Sequence, residues 1–232
     1  MKNHRTQRLL LFDIDGTLVL TRGAGRASTQ AAMLEVFGTV GALDSYNFDG
    51  KTDWLIVTDL LTAEGFTSAE VAARLPAYQQ AMRRHLERVI GTFNVEACRG
   101  ALEAVRVLRR HNHLLMGLVT GNVAATAPIK LRAAGFDPAW FPVGAYGSEA
   151  ISRDDLPPLA LERAMRHWNC ALLPQQVVVI GDTATDVACA RALGAVAVAV
   201  RTGFASEEEL RASQPDYLLD DLKQLAHLLD LH

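Results

Sequence analysis

The chain has 232 residues, half of them apolar, and a formal net charge of −3, which suits one large domain or one domain carrying an insert. Its acids and bases are mixed along the sequence, so it offers no basic field for nucleic acid or an anionic membrane surface. After the basic start Lys2, Arg5, Arg8 the apolar run from Leu9 to Phe12 is too short for a signal peptide or a membrane span, and Cys98, Cys170 and Cys189 show no paired spacing, so a cytoplasmic protein with reduced thiols is expected.

The first predicted strand covers residues 9–13. Helical patterns follow over 27–37, 53–64 and 68–90 with no strand between them, Pro76 either kinking or dividing the last. Gly23 and Gly25 on one side, and the irregular stretch 91–100 on the other, are candidate hinges. Strands and helices then alternate: helix 102–110, strand 114–120, and a helix entered through Thr126 as cap with Pro128 in its first turn. Strand 143–146, helix 158–168, strand 177–182, helix 184–193 stopped by Gly194, and strand 195–200 complete the series. This alternation predicts βαβ units and a parallel sheet covered on both faces, a Rossmann-like α/β core. The expected division is a core of residues 1–20 and 94–232 with a helical cap domain, 21–93, inserted after the first strand.

In open α/β sheets ligands bind beyond the carboxyl ends of the strands, and the notable polar residues collect there. The first strand ends in Asp13-Ile14-Asp15-Gly16-Thr17, the next in Thr120-Gly121-Asn122, and a later one in Gly181-Asp182-Thr183-Ala184-Thr185-Asp186. Four acids on one edge repel one another unless a hard divalent cation holds them, which points to Mg²⁺. Thr120 and the amides after it suit the oxygens of a phosphate, and Arg153 supplies further positive charge. Lys130 is a second candidate cation, although its helical surroundings favour an ordinary surface lysine. Rival motifs fail. Gly50-Lys51-Thr52 has Ser45 where a P-loop needs glycine, Gly23-x-Gly25 lacks the third glycine of a dinucleotide fingerprint, and no cysteine is followed six positions on by arginine. The clusters Arg83-Arg84-His85 and Arg109-Arg110-His111 read as solvated helix surfaces.

Asp-Ile-Asp-Gly-Thr, Val-Thr-Gly-Asn and Gly-Asp-Thr-Ala-Thr-Asp, in that order, resemble the first, second and fourth motifs of the haloacid dehalogenase-like (HAD) hydrolases, and the likeness covers nearly the whole chain. It implies that Asp13 attacks phosphorus to form an aspartyl-phosphate, that Asp15 protonates the leaving oxygen and then activates water, and that Asp182 ligates Mg²⁺ with Asp13 and the backbone carbonyl of Asp15. Asp186 then supports neighbouring groups, while Thr120, Gly121 and Asn122 hold the phosphate. In the third motif Arg153 stands where the family usually has lysine, and keeps its charge. An acid at position 15 argues for phosphate esters, since related dehalogenases and phosphonate-cleaving enzymes lack it. Gly50-Lys51-Thr52-Asp53 resembles a cap segment of phosphoglycolate phosphatase-like members, making Lys51, with Arg22 or Arg26, the candidate substrate contacts. The resemblance implies a Mg²⁺-dependent phosphatase of a small phosphorylated metabolite, monomeric or weakly dimeric. A phosphotransferase or phosphomutase of the same fold and a non-catalytic regulatory binding protein are the alternatives.

Overall fold

The computed structural model describes residues 6–229; Lys2 and Arg5 of the basic start, and the expected outer ends of the core at Met1 and His232, lie outside them. In chain order the elements are β1 (Arg8–Phe12), β2 (Val19–Leu20), α1 (Ala24–Phe37), α2 (Asp53–Ala63), α3 (Ser68–Val89), β3 (Glu96–Ala97), α4 (Ala101–Leu108) and β4 (Leu114–Thr120). Then come α5 (Ala127–Ala133), β5 (Val143–Tyr146), α6 (Leu156–Trp168), β6 (Val177–Gly181), α7 (Ala184–Leu193), β7 (Val196–Val200), α8 (Glu207–Ala212), β8 (Tyr217–Leu219) and α9 (Lys223–Leu228).

Leu9, Leu10, Leu11 and Phe12 are all buried, a pattern only an interior strand can satisfy. Accordingly β1 pairs in parallel with β4 on one side and β6 on the other, at the centre of a six-stranded sheet ordered β5-β4-β1-β6-β7-β8. In register, Leu10 faces Met116 and Val178, and all three enter one core with α4, α5 and α9. Leu9, Leu11, Leu115 and Val179 enter the opposite core with α6, α7 and α8. Each fully buried Leu or Val on these faces contributes roughly 1.5–3 kcal/mol. The fold is the expected Rossmann-like α/β sheet with helices on both faces.

Between β2 and β3 the chain is helical. α1 packs along α3 and α2 against α3, around Met33, Phe37, Leu61, Leu75, Tyr78 and Met82. Thr67 and Glu70 form a reciprocal cap at the start of α3, which runs unbroken through exposed Pro76, so the proline does not divide the helix. Arg84 and His85 both bond Glu35 of α1, joining two helices where a merely solvated surface was expected. Arg109, expected solvated as well, stacks over Trp140 at 4.8 Å.

The stretch expected to be irregular contains β3, which pairs antiparallel with β2 through Val19 with Ala97 and Leu20 with Glu96. Thr126 precedes α5, but its hydroxyl donates to the Val123 carbonyl and caps no helix amide. α8, β8 and α9 had no counterpart in the sequence reading. Among the described residues no helix is long and apolar enough to cross a membrane.

Candidate active site

Directly after β1 the Asp13 amide donates to the Ile180 carbonyl at 2.9 Å. The chain then turns back on itself, with the Leu18 and Val19 amides both donating to the Ile14 carbonyl at 2.9 and 2.8 Å. Gly16 makes the turn possible: its φ is +85°, and a Cβ there would stand 2.3 Å from Asp182 Oδ2. Asp182, just past β6, accepts from the Thr17 hydroxyl at 3.1 Å and the Phe204 amide at 2.9 Å. In the first turn of α7, Asp186 Oδ2 accepts from the Thr183 amide and hydroxyl at 3.0 and 2.7 Å, a reciprocal cap that fixes the carboxylate. The result is three buried acids, Asp13, Asp182 and Asp186, each with a ligand oxygen within 4.8 Å of the others.

Three such carboxylates cannot all ionise cheaply. Burial pushes Asp13 up from its ordinary 3.8 to about 6, against the opposing Arg153 charge and with help from Asp186 and Asp15. Burial, then the charges of Asp186 and Asp13, push Asp182 well above the carboxylate range. Arg153 bonds Asp186 and lies 3.1 Å from Asp13 Oδ1. Burial disfavours its charge, but these two carboxylates outweigh burial and hold the guanidinium protonated. Among the described residues its buried Nε has no hydrogen-bond partner. Among the described residues the hydrogen-bond partners of Asp182 are a hydroxyl and an amide, with no such cation. A donor set of oxygens alone, three carboxylates against one guanidinium, fits a hard divalent cation.

The second half of the site centres on Asp15. Its Oδ2 accepts from Lys130 Nζ at 2.6 Å and Asn122 Nδ2 at 2.8 Å, and its Oδ1 from the Thr21 hydroxyl at 3.3 Å. Asn122 Nδ2 also donates to Thr120 Oγ1 at 2.7 Å, and Lys130 to Asn122 Oδ1. Lys130 is therefore no surface lysine; it is 5 % exposed. The signal was present in the sequence, because Ala127, Lys130, Leu131 and Ala134 follow the i, i+3, i+4, i+7 spacing of a buried stripe, and all four are buried. Two cations thus share the site, Arg153 against Asp13 and Lys130 against Asp15.

A cavity of about 330 Å³ opens over these groups; Asp13, Asp15, Thr120, Gly121, Asn122, Arg153 and Lys51 line it, whereas Asp182 and Asp186 are not lining residues. Lys51 donates to the Tyr46 hydroxyl at 2.8 Å. Arg26 also lines the cavity, its guanidinium bonded to the Leu43 and Tyr46 carbonyls and 4.2 Å from the Phe48 ring centroid. Arg22 instead pairs with Glu96 at 2.6 Å and is not a lining residue of this cavity. Asp53, at the start of α2, is a lining residue that the sequence did not single out; burial pushes it up to about 6, with Lys130 opposing. Its signal was the Gly50-Lys51-Thr52-Asp53 segment, in which only Lys51 is given a role. Burial also pushes the thiols of Cys98 and Cys189 up to about 12, which makes them poor nucleophiles.

A parallel sheet with the acids after β1 and β6 meeting at its carboxyl edge is the arrangement the motifs imply, and the HAD-hydrolase-like family model matches residues 155–225. The chain is similar over 96% of its length to a phosphoglycolate phosphatase of Haemophilus influenzae, 22% identical over 98% of that protein. Likewise it is 27% identical to a 5'-nucleotidase of Pseudomonas aeruginosa, with 96% of each chain covered. Among solved structures, a hydrolase from Pseudomonas syringae superposes with a TM-score of 0.70 at 21% identity, covering 97% of this chain and 98% of the other. CbbY from Rhodobacter sphaeroides in complex with phosphate superposes with a TM-score of 0.66 at 18% identity, over 97% and 100%.

Proposed function

We propose that the protein is a Mg²⁺-dependent phosphatase that hydrolyses a small phosphorylated metabolite through an aspartyl-phosphate, in the cytoplasm and as a monomer or weak homodimer. The observation that carries this reading is the facing arrangement of two acids at one cavity: Asp13 beside Arg153 and Asp15 beside Lys130. Asp13 is the nucleophile, its oxygen forming the bond to phosphorus. Asp15 gives a proton to the departing oxygen and afterwards takes one from the attacking water. Lys130, Asn122 and Thr21 fix its carboxylate for both tasks.

Thr120, Gly121 and Asn122 border the place of the phosphoryl group. Arg153, with an uncommitted Nε–H, balances charge on phosphoryl oxygens. Asp13, Asp182 and the carbonyl of Asp15 would hold Mg²⁺, with Asp186 in support, and the ion would neutralise charge on the transferring group. The helices of residues 21–93 form a cap whose Lys51 meets the leaving group and whose presence keeps water out.

The relatives suggest the first compounds to try, 2-phosphoglycolate and nucleoside 5'-monophosphates. A panel of phosphorylated metabolites assayed for released phosphate should find at least one turned over by the Mg²⁺-loaded protein and by neither Asp13→Asn nor chelated protein. Undiminished turnover in the Asn variant refutes the mechanism.

A further inference from the structure

The start of α2 grips two loops of the sheet's carboxyl edge, those after β4 and β5. The Thr52 hydroxyl donates to the Ile151 carbonyl at 2.8 Å, and the Trp54 amide to the Gly147 carbonyl at 3.0 Å. Asp53 does more. Its amide donates to the Gly121 carbonyl at 2.7 Å while its Oδ2 accepts from the Val123 amide at 2.7 Å, so one residue of the helical segment holds the backbone on both sides of Asn122. Close approach is built in. A Cβ on Gly121 would sit 2.0 Å from the Lys51 carbonyl oxygen, and one on Gly147 would sit 1.8 Å from the Gly121 carbonyl oxygen. Asn122 in turn bonds Asp15, Thr120 and Lys130. A continuous chain of hydrogen bonds therefore runs from α2 to the acid that faces the cavity.

We infer that Asp53 is a positioning residue: by clamping the peptide on either side of Asn122 it sets the direction of the Asn122 side chain and, through it, the carboxylate of Asp15. The acid/base pair is then complete only while α2 is docked on the Gly121 and Gly147 loops, which ties the catalytic step to the seated position of the helical segment. Thr52 and Trp54 hold that segment in place without touching Asn122. The inference deepens the phosphatase reading and rests on it for its kinetic consequence, but its structural core is independent of turnover.

The test compares the full chain with Asp53→Ala, Asp53→Asn, Asn122→Ala and the Asp53→Ala/Asn122→Ala double variant, using p-nitrophenyl phosphate and Mg²⁺. Losing a hydrogen bond that shapes the reacting geometry should lower kcat about tenfold in Asp53→Ala with KM within about twofold. Asp53→Asn keeps an acceptor oxygen for the Val123 amide and should stay within about threefold of the parent. Because Asp53 acts through Asn122, the double variant should be no slower than Asn122→Ala alone. Multiplying losses in the double variant, an effect on KM alone, or equal losses in the Ala and Asn variants would overturn the inference. Amide hydrogen exchange without substrate gives a reading independent of activity: exchange at Val123 should quicken about tenfold in Asp53→Ala and stay at the parental rate in Asp53→Asn. Unchanged exchange in Asp53→Ala overturns the clamp even if the parent hydrolyses nothing, whereas an inactive parent with the expected exchange pattern refutes only the phosphatase reading.

Discussion

Replacing Asp13 by Asn should abolish turnover and, in metal-free protein, should also remove a specific dependence of stability on pH. In the folded protein Asp13 titrates near 6, against an ordinary 3.8, chiefly because it is buried. Between these values the folded chain binds a proton that the unfolded chain has released, so the unfolding free energy falls as pH rises from about 4 through 6 and levels off above. A difference of about two units corresponds to ~3 kcal/mol, at 1.36 kcal/mol per unit. Asn carries no titrating group and its oxygen can still accept from Arg153, which also keeps Asp186. Any constant offset between parent and variant cancels when the difference is followed against pH. Urea unfolding in EDTA at several pH values from 4 to 8 should therefore show the variant gaining on the parent by ~3 kcal/mol over that range. Mg²⁺ added above pH 6 should stabilise the parent far more than the variant, because binding requires the ionised carboxylate. A parent-minus-variant difference that stays flat across the range would falsify the assignment of the raised acid to Asp13.

Lys130→Met, which removes the ammonium 2.6 Å from Asp15, should cut kcat about 10²-fold, the lower end of what acid–base catalysis supplies; steady-state kinetics with a chromogenic phosphate ester would show it. Gly121→Ala drives a methyl group into the Lys51 carbonyl, so α2 must shift, and kcat/KM should fall at least tenfold, roughly the effect of a 1.4 kcal/mol loss, while circular dichroism is unchanged. Pro76→Ala restores a backbone donor on the exposed side of α3 and should raise the unfolding free energy by ~1–3 kcal/mol without altering kinetics, as read by thermal melting. Iodoacetamide at neutral pH should leave activity intact, since Cys98 and Cys189 are buried and titrate near 12.

Strands 114–120 and 143–146 were legible with their bounds because their apolar runs end in polar residues or glycine at the sheet's edge, and helix 184–193 because Gly194 stops it. β8 has three residues and α9 has six, too few for a periodicity to register. α8 was different: Ser206 and Glu209 form a reciprocal cap, and the Ser-x-x-Glu spacing stood in the sequence unread. The acids at the strand ends were visible as motifs, but their sharing of charge was not. Lys130 was read by residue type when its spacing placed it on a buried stripe. The grip of Asp53 on Gly121 and Val123 joins segments roughly seventy positions apart through backbone groups, and backbone groups leave no mark in side-chain identity.

The short ribbon of β2 and β3 sets the entry and exit of the helical segment side by side, with Val19 opposite Ala97. Sequence threaded through such a single doorway can be swapped for another of different length or composition without disturbing the register of the six-stranded sheet. A module transplanted through it must bring its own equivalent of Asp53, because the contacts to Gly121 and Val123 leave with the exchanged sequence while Asn122 and Asp15 stay behind.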